Sequence, residues 1–200
     1  MNSPSAKISI EKLNTYKPNF GKSKIDNLIR LSANEGALGT SSNAIEALNS
    51  FTHSLNRYPP QVSDDLIRAI AKRYSLEKKK IILGNGSDEL ISIITQAFLG
   101  PADEAIYTEF GFLQFPQAIS IAGAKGVVAE DINFTANVDN IISKINKRTK
   151  LIFLANANNP TGTFIPKEEV IRLHKSIPSN VLFVYDAAYS EFISNSDYID

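Results

Sequence analysis

Two apolar runs and the residues that follow them decide the fold: Leu151-Ile152-Phe153-Leu154 leads into Asn159-Pro160-Thr161-Gly162, and Val181-Leu182-Phe183-Val184-Tyr185 leads into Asp186-Ala187-Ala188-Tyr189. Both runs are apolar throughout, which is typical of strands buried on both faces of a parallel sheet. The carboxyl ends of parallel strands meet at one edge, where ligands bind in open α/β folds. The sequence therefore predicts an amide, a carboxylate and a phenol at one edge of the sheet.

The rest of the chain repeats the same alternation of strand and helix. Before residue 81, two helices are predicted, one from Ser42 and one from about Ser63. After it, apolar runs predict strands at 81–83, 105–107, 126–129, 151–155 and 181–185, and amphipathic stretches predict helices at 88–99, 112–122, 138–145 and 170–177. Helix-sized connections between fully apolar strands predict an α/β fold with a mostly parallel sheet flanked by helices.

Composition narrows the classes of ligand and partner. Lys plus Arg and Asp plus Glu are equal at 21 each, with no basic block, so neither nucleic acid nor an anionic membrane surface is the expected partner. The chain has no cysteine and two histidines, which excludes thiolate metal sites and predicts no metal. No apolar run approaches the roughly 20 residues of a membrane helix. A cytoplasmic protein that binds a small polar or anionic metabolite is expected.

Gly84-Asn85-Gly86-Ser87-Asp88-Glu89 is a candidate phosphate site between an apolar run and a helix. Glycines let the backbone approach a ligand closely, and free amides at a helix start favour an anion. Glu89 stands where a dinucleotide fingerprint has its third glycine, and the run is not a P-loop. A glycine turn with a Ser or Asp cap explains the same residues without a ligand.

Asp186, Asn159 and Tyr189 match the polar atoms of pyridoxal 5′-phosphate. A carboxylate at a strand end stabilises a protonated ring nitrogen, and an amide and a phenol suit a ring oxygen. Each residue also has a simpler explanation, since Asp186 can cap a turn, Asn159 can belong to an ordinary Asn and Gly turn, and Tyr189 can be a core aromatic.

Six landmarks occur in the order found in one enzyme family. They are Leu31-Ser32-Ala33-Asn34-Glu35, Arg57-Tyr58-Pro59, Gly84-Asn85-Gly86-Ser87-Asp88-Glu89, Phe110-Gly111, Asn158-Asn159-Pro160-Thr161-Gly162 and Asp186-Ala187-Ala188-Tyr189. Together they resemble fold-type I, class I/II pyridoxal-phosphate aminotransferases, and within that family the histidinol-phosphate aminotransferases. The resemblance covers the chain from about Tyr16 to Tyr189, and it implies the large-domain fold of these transferases.

The resemblance also implies a role for each candidate residue. Gly86, Ser87 and Asp88 would bind the cofactor phosphate through the loop backbone, Phe110 would stack on the ring, and Asp186 would hold the ring nitrogen. Asn159 and Tyr189 would bind the ring hydroxyl, and with Asp186 they form the predicted catalytic set. Tyr58 would reach the phosphate in the neighbouring subunit of a homodimer. Asn34 and Tyr16 would lie in the segment that closes over substrate.

The expected domains are residues 1–40, an N-terminal arm and the start of a small-domain segment, and residues 41–200, a cofactor-binding large domain that is incomplete at its C-terminal end. In the family, the lysine that binds the cofactor covalently would come after Asp200, so the chain is expected to be an inactive fragment of a longer enzyme. The implied reaction transfers an amino group between histidinol phosphate and 2-oxoglutarate or glutamate in histidine biosynthesis. The alternatives are an aromatic aminotransferase, a threonine-phosphate decarboxylase, or a non-catalytic α/β module that binds a phosphorylated ligand.

Overall fold

The computed structural model describes residues 7–11, 13, 29, 31–60 and 63–199. Contacts between Cα atoms divide the chain into two compact units, one of Met1–Leu13 with Gly84–Asp200 and the other of Asn14–Leu83. The described part of the first unit begins with a short helix, α1 (Ile8–Glu11). The domain boundary expected at residue 40 stays a prediction.

The described residues of the second unit form two α-helices, α2 (Ser42–Phe51) and α3 (Asp64–Tyr74). The Ser41 hydroxyl accepts a hydrogen bond from the Ala44 N–H, which caps α2 as an N-terminal serine normally does. Asp64 and Asp65 occupy the first turn of α3, where the positive end of the helix dipole favours carboxylates. Both helices predicted before residue 81 are therefore present.

The first unit is built on a four-stranded parallel sheet. Its strands are β1 (Glu104–Thr108), β2 (Lys125–Ala129), β3 (Thr149–Ala155) and β4 (Leu182–Asp186), in the spatial order β2-β1-β3-β4. The helices between and before them are α4 (Gly86–Phe98), α5 (Gln114–Ala122), α6 (Val138–Ser143) and α7 (Lys167–Ser176). The predicted α/β fold with a parallel sheet flanked by helices is confirmed.

Hydrophobic cores cover both faces of this sheet. Alternate residues of a strand point to opposite faces, and β3 supplies both cores. Ile152 and Leu154 pack with residues of α6 and α7, whereas Leu151 and Phe153 pack with residues of α4 and α5. Phe153 stacks on Phe115 at a centroid distance of 4.8 Å. Burial on both faces explains why the strand sequence is apolar without alternation.

Residues 81–83 differ from their prediction as a strand. They have no regular secondary structure, and they follow a single 3₁₀ turn at Lys78–Lys80. Ile82 is 75% exposed. An apolar run becomes a strand only when a neighbouring strand pairs with it, and the described residues of the second unit contain no strand.

A buried carboxylate fixes the amino end of the sheet. Glu104, the first residue of β1, accepts hydrogen bonds from the Arg148 guanidinium at 2.6 and 2.9 Å and from Asn146 Nδ2 at 2.8 Å. The Lys125 ammonium lies 3.3 Å from the same carboxylate. This polar cluster joins β1 to the start of β2 and to the loop before β3.

Within the ranges that the structure describes, every helix is too short or too polar to span a lipid bilayer.

Candidate active site

Asn156 shapes the loop that follows β3. Its side chain is 1% exposed; the amide oxygen accepts a hydrogen bond from the Ile165 N–H at 2.8 Å, and the amide nitrogen donates to the Ile165 carbonyl and to the Tyr185 hydroxyl. The Asn156 N–H donates to the Asp186 carbonyl, which keeps the ends of β3 and β4 together. Asn156 therefore stabilises the loop rather than facing a ligand.

A cavity opens at the carboxyl ends of β3 and β4. It is lined by Ser87, Phe112, Ala155, Ala157, Asn159, Asp186, Ala188 and Tyr189. Asn159 Nδ2 donates a hydrogen bond to the Tyr189 hydroxyl at 3.3 Å. The structure thus brings together four predicted site residues, Ser87 from the start of α4 and Asn159, Asp186 and Tyr189 from the ends of the two strands.

Asp186 is a half-buried carboxylate in this cavity. Burial raises its pKa above the ordinary value of 3.8, and the negative charge of Asp88 raises it further, while the Ala188 N–H, 3.1 Å from Oδ1, lowers it. None of the eight described residues that line the cavity is Lys, Arg or His. A cation bound in the cavity would therefore relieve the electrostatic cost of ionising Asp186.

The start of α4 supplies the predicted phosphate-binding loop. Gly86 is the first residue of this 13-residue helix and has a φ of +75°, a conformation that side-chain-bearing residues rarely adopt. Ser87 and Asp88 follow in the first turn, where backbone amides have no partner within the helix. The Ser87 contribution to the cavity lining places this helix start beside the carboxylate and the phenol.

Phe110 does not line the cavity, whereas Phe112 does. The Phe110 ring lies 5.0 Å from the Phe134 ring, and 38% of the residue is exposed. Its proposed stacking role stays a prediction. The sequence pattern assigned Phe112 to the beginning of a helix, and only the turn before α5, which begins at Gln114, shows that this aromatic faces the cavity.

The alanines of the cavity lining, at positions 155, 157 and 188, were also not predicted. They carry no functional group, so their sequence gave no chemical signal. Their contribution is space, because larger side chains would fill the volume in front of Asp186.

Two of the remaining candidates lie outside the first unit. Asn34 and Tyr58 belong to the second unit and are exposed; Asn34 has a left-handed backbone with φ of +52°. Tyr16 lies outside the described residues. The substrate and subunit-interface roles of these three residues stay predictions.

Comparison with known proteins identifies the family. The sequence profile described as "Aminotransferase class I and II" matches residues 26–200. The chain is 46% identical over 174 residues to a histidinol-phosphate aminotransferase of Paramagnetospirillum magneticum, covering 87% of this chain and 48% of that protein. It is 44% identical to the protein of the same name from Rhodopseudomonas palustris strain HaA2, covering 99% and 55%. The chain thus spans about half the length of these curated relatives.

Solved structures show the same fold. Histidinol-phosphate aminotransferase from Sinorhizobium meliloti, in complex with pyridoxal 5′-phosphate, superimposes with a TM-score of 0.76 at 23% identity, covering 80% of this chain and 44% of that one. Aspartate aminotransferase from Thermus thermophilus with maleate gives a TM-score of 0.71 at 23% identity, with coverage of 78% and 44%. On the profile match and the fold together, the chain belongs to the class I and II aminotransferase family.

Proposed function

We propose that this chain forms the cofactor-binding part of a pyridoxal-phosphate-dependent aminotransferase. The observation that carries the proposal is the ionisable Asp186 in a cavity whose described lining contains no basic side chain. A protonated pyridine nitrogen is a cation of the right kind for this carboxylate. The Asn159 and Tyr189 pair, 3.3 Å apart, offers polar groups for a ring oxygen in the same cavity.

The residues fit the cofactor at three points. Asp186 would hold the ring nitrogen in its protonated state, and Asn159 and Tyr189 would bind the ring hydroxyl. Gly86, Ser87 and Asp88 would bind the phosphate through backbone amides and the positive end of α4. When bound, the cofactor supplies an electron sink that stabilises negative charge at the α-carbon of an amine substrate. By keeping the ring nitrogen protonated, Asp186 would strengthen that electron sink.

The proposed substrates are histidinol phosphate and 2-oxoglutarate or glutamate, in histidine biosynthesis. The names of the relatives at 46% and 44% identity support this choice. The proposal includes a cytoplasmic homodimer in which Tyr58 reaches the partner's cofactor phosphate and Asn34 and Tyr16 contact substrate. It also assigns residues 1–40 to an arm and small-domain segment and residues 41–200 to the large domain.

Cofactor binding tests the first part of the proposal. Calorimetric titration of the protein with pyridoxal 5′-phosphate, and separately with pyridoxamine 5′-phosphate, should show saturable binding. Asp186→Asn should weaken binding about tenfold or more, because the ion pair with the ring is lost. The exposed Asp197→Asn variant is the matched control and should bind normally. Equal binding by the two variants would contradict the role of Asp186.

The choice of substrate requires a separate assay. Whole enzyme loaded with cofactor should transfer the amino group of histidinol phosphate faster than that of histidinol, phenylalanine or threonine phosphate. Preference for the aromatic amino acid would support an aromatic aminotransferase, and release of carbon dioxide from threonine phosphate would support the decarboxylase. Binding without turnover of any amine would support the non-catalytic module.

A further inference from the structure

A closed set of contacts holds the two walls of the cavity together. One wall is the loop after β3, which lines the cavity through Ala157 and Asn159, and the other is the turn that ends in Phe112. Asn158 lies between these two residues in the sequence, but its side chain contacts the other wall instead of lining the cavity. Asn158 Nδ2 donates to the Phe110 carbonyl at 2.9 Å, two residues before Phe112.

The same amide nitrogen begins a chain of hydroxyl contacts. Asn158 Nδ2 donates to Thr161 Oγ1 at 2.8 Å, Thr161 Oγ1 lies 2.9 Å from Thr163 Oγ1, and Thr163 Oγ1 donates to the Phe134 carbonyl at 2.9 Å. Each hydroxyl has one proton. Since Thr163 gives its proton to Phe134, the Thr161 hydroxyl must donate to Thr163, so the direction of every hydrogen bond is fixed.

A contact between two aromatic rings completes the closed set of contacts. Phe134 sits in a tight turn with φ of +61°, an unfavourable conformation for a bulky residue, and its ring packs on Phe110 at 5.0 Å. Asp131 Oδ2 accepts a hydrogen bond from the Phe110 N–H at 3.2 Å. Both backbone polar groups of Phe110 are thus bound by side chains from other loops, and its ring is held as well.

The orientation of the Asn158 amide follows from its partners. The Phe110 carbonyl can only accept a hydrogen bond, so the nitrogen must face it. Asn158 is 8% exposed, and its Oδ1 is buried without a hydrogen-bond partner in the described part of the chain. The two donated hydrogen bonds therefore fix the orientation of this nearly buried amide.

We propose that Asn158 is a positioning residue that sets the spacing between the loop wall and the Phe112 wall for a flat ligand. Gly111 packs the second wall closely against the end of β1: its N–H donates to the Thr108 carbonyl at 3.0 Å, and a Cβ there would lie 2.7 Å from Thr108 Oγ1. The Phe110 carbonyl that Asn158 binds belongs to the same closely packed turn as Phe112. This inference rests on the proposed function and deepens it, since the ligand is the same planar phosphorylated ring.

Pyridoxamine 5′-phosphate is the probe, because its binding can be measured without turnover. The Asn158→Asp variant keeps the shape but cannot donate, and a carboxylate would face the Phe110 carbonyl. Thr161→Val removes the hydroxyl that bonds Asn158 and Thr163 without adding charge, and Thr161→Ser retains that hydroxyl. Asn146→Asp, at the opposite end of the sheet beside Glu104, is the matched control for general loss of stability.

The variants at Asn158 and Thr161 should change ligand affinity, whereas the control variant should change only stability. Asn158→Asp should weaken pyridoxamine 5′-phosphate binding about tenfold or more and Thr161→Val severalfold, with Thr161→Ser near the unaltered protein. The fluorescence of bound pyridoxamine 5′-phosphate should also change in the two weak binders. Asn146→Asp should lower the urea midpoint without changing affinity or fluorescence.

Two outcomes would overturn the inference, and they are distinguishable. Normal affinity and fluorescence in Asn158→Asp and Thr161→Val, with saturable binding by the unaltered protein, would remove the positioning role and leave the proposed function intact. Failure of the unaltered protein to bind the probe at all would overturn the proposed function and this inference together.

Discussion

Replacing Glu104 by glutamine should destabilise the sheet in a strongly pH-dependent way. Hydrogen bonds from Asn146 and then Arg148 lower the pKa of Glu104 to about 2, from an ordinary value of 4.5. The residue is 2% exposed. Glutamine keeps the shape and one acceptor oxygen, but it removes the charge and presents an amide nitrogen to groups that are themselves donors.

The size of the effect follows from the pKa difference. A fall from 4.5 to about 2 corresponds to roughly 3 kcal/mol, at about 1.36 kcal/mol per pKa unit. The Arg148 and Lys125 side chains are 63% and 68% exposed, so solvent screens their charges. The expected loss in the free energy of unfolding is therefore about 1–2 kcal/mol near neutral pH.

The direction of the pH dependence is also fixed. Because the folded-state pKa is below the unfolded-state value, the carboxylate of Glu104 stabilises the fold fully above about pH 5 and loses this contribution as pH falls toward about 2. Urea unfolding at a series of pH values, followed by far-UV circular dichroism, should show the gap between the unaltered protein and Glu104→Gln closing across that range.

Glu130→Gln is the matched control for this measurement. Glu130 pairs with Lys144 at 2.8 Å, but its side chain is 58% exposed, so the substitution should change stability little. A gap for Glu104→Gln that stays constant from neutral to acid pH, or one no larger than the control's, would refute the buried-carboxylate reasoning.

Three further predictions concern the site and the core. The first concerns Asp186, whose pKa is raised. As pH falls through that pKa, protonation removes the negative charge, so the unaltered protein should lose affinity for pyridoxamine 5′-phosphate while Asp186→Asn, which has no charge to lose, should not. Parallel pH profiles of the two proteins in calorimetry would count against the ion pair. Phe153→Ala should cost about 3–5 kcal/mol in urea unfolding, since its ring is fully buried against Phe115, and a loss below about 1 kcal/mol would argue against that packing. Gly111→Ala should cost about 1–3 kcal/mol and weaken ligand binding, because the new Cβ collides with Thr108; a normal urea midpoint and affinity would show that the turn can yield.

Local signals were sufficient for most of the sheet. The run at 151–155 is buried on both faces, with helices on each side, whereas the run at 181–185 packs against the same two cores but is only half-buried. Helix starts were also local, since Ser41 caps α2 and Pro166 precedes α7. Residues 81–83 show the limit of this reasoning, because apolar composition does not specify a pairing partner.

Whether a residue's role could be predicted depended on how far along the chain its contacts lie. Asp186 and Asn159 were predicted because the first directly follows an apolar run and the second lies four residues after one, and the geometry of parallel strands brings such positions to one edge. Phe112 was missed because its direction depends on the turn that Gly111 makes against Thr108. Glu104 was missed as well, because Asn146 and Arg148, its main partners, are more than 40 residues away along the chain.

The loop after β3 shows why a motif and its mechanism are not the same information. Asn156, Asn158 and Asn159 are one residue type within four positions, yet their amides have three different uses. Asn156 fixes the loop to Ile165, Asn158 binds the opposite wall, and Asn159 faces the cavity beside Tyr189. Sequence alone predicts that several amides gather at a strand end. Only the backbone path determines which of them meets a ligand, so substitution of Asn158 and of Asn159 should be read as tests of spacing and of contact, respectively.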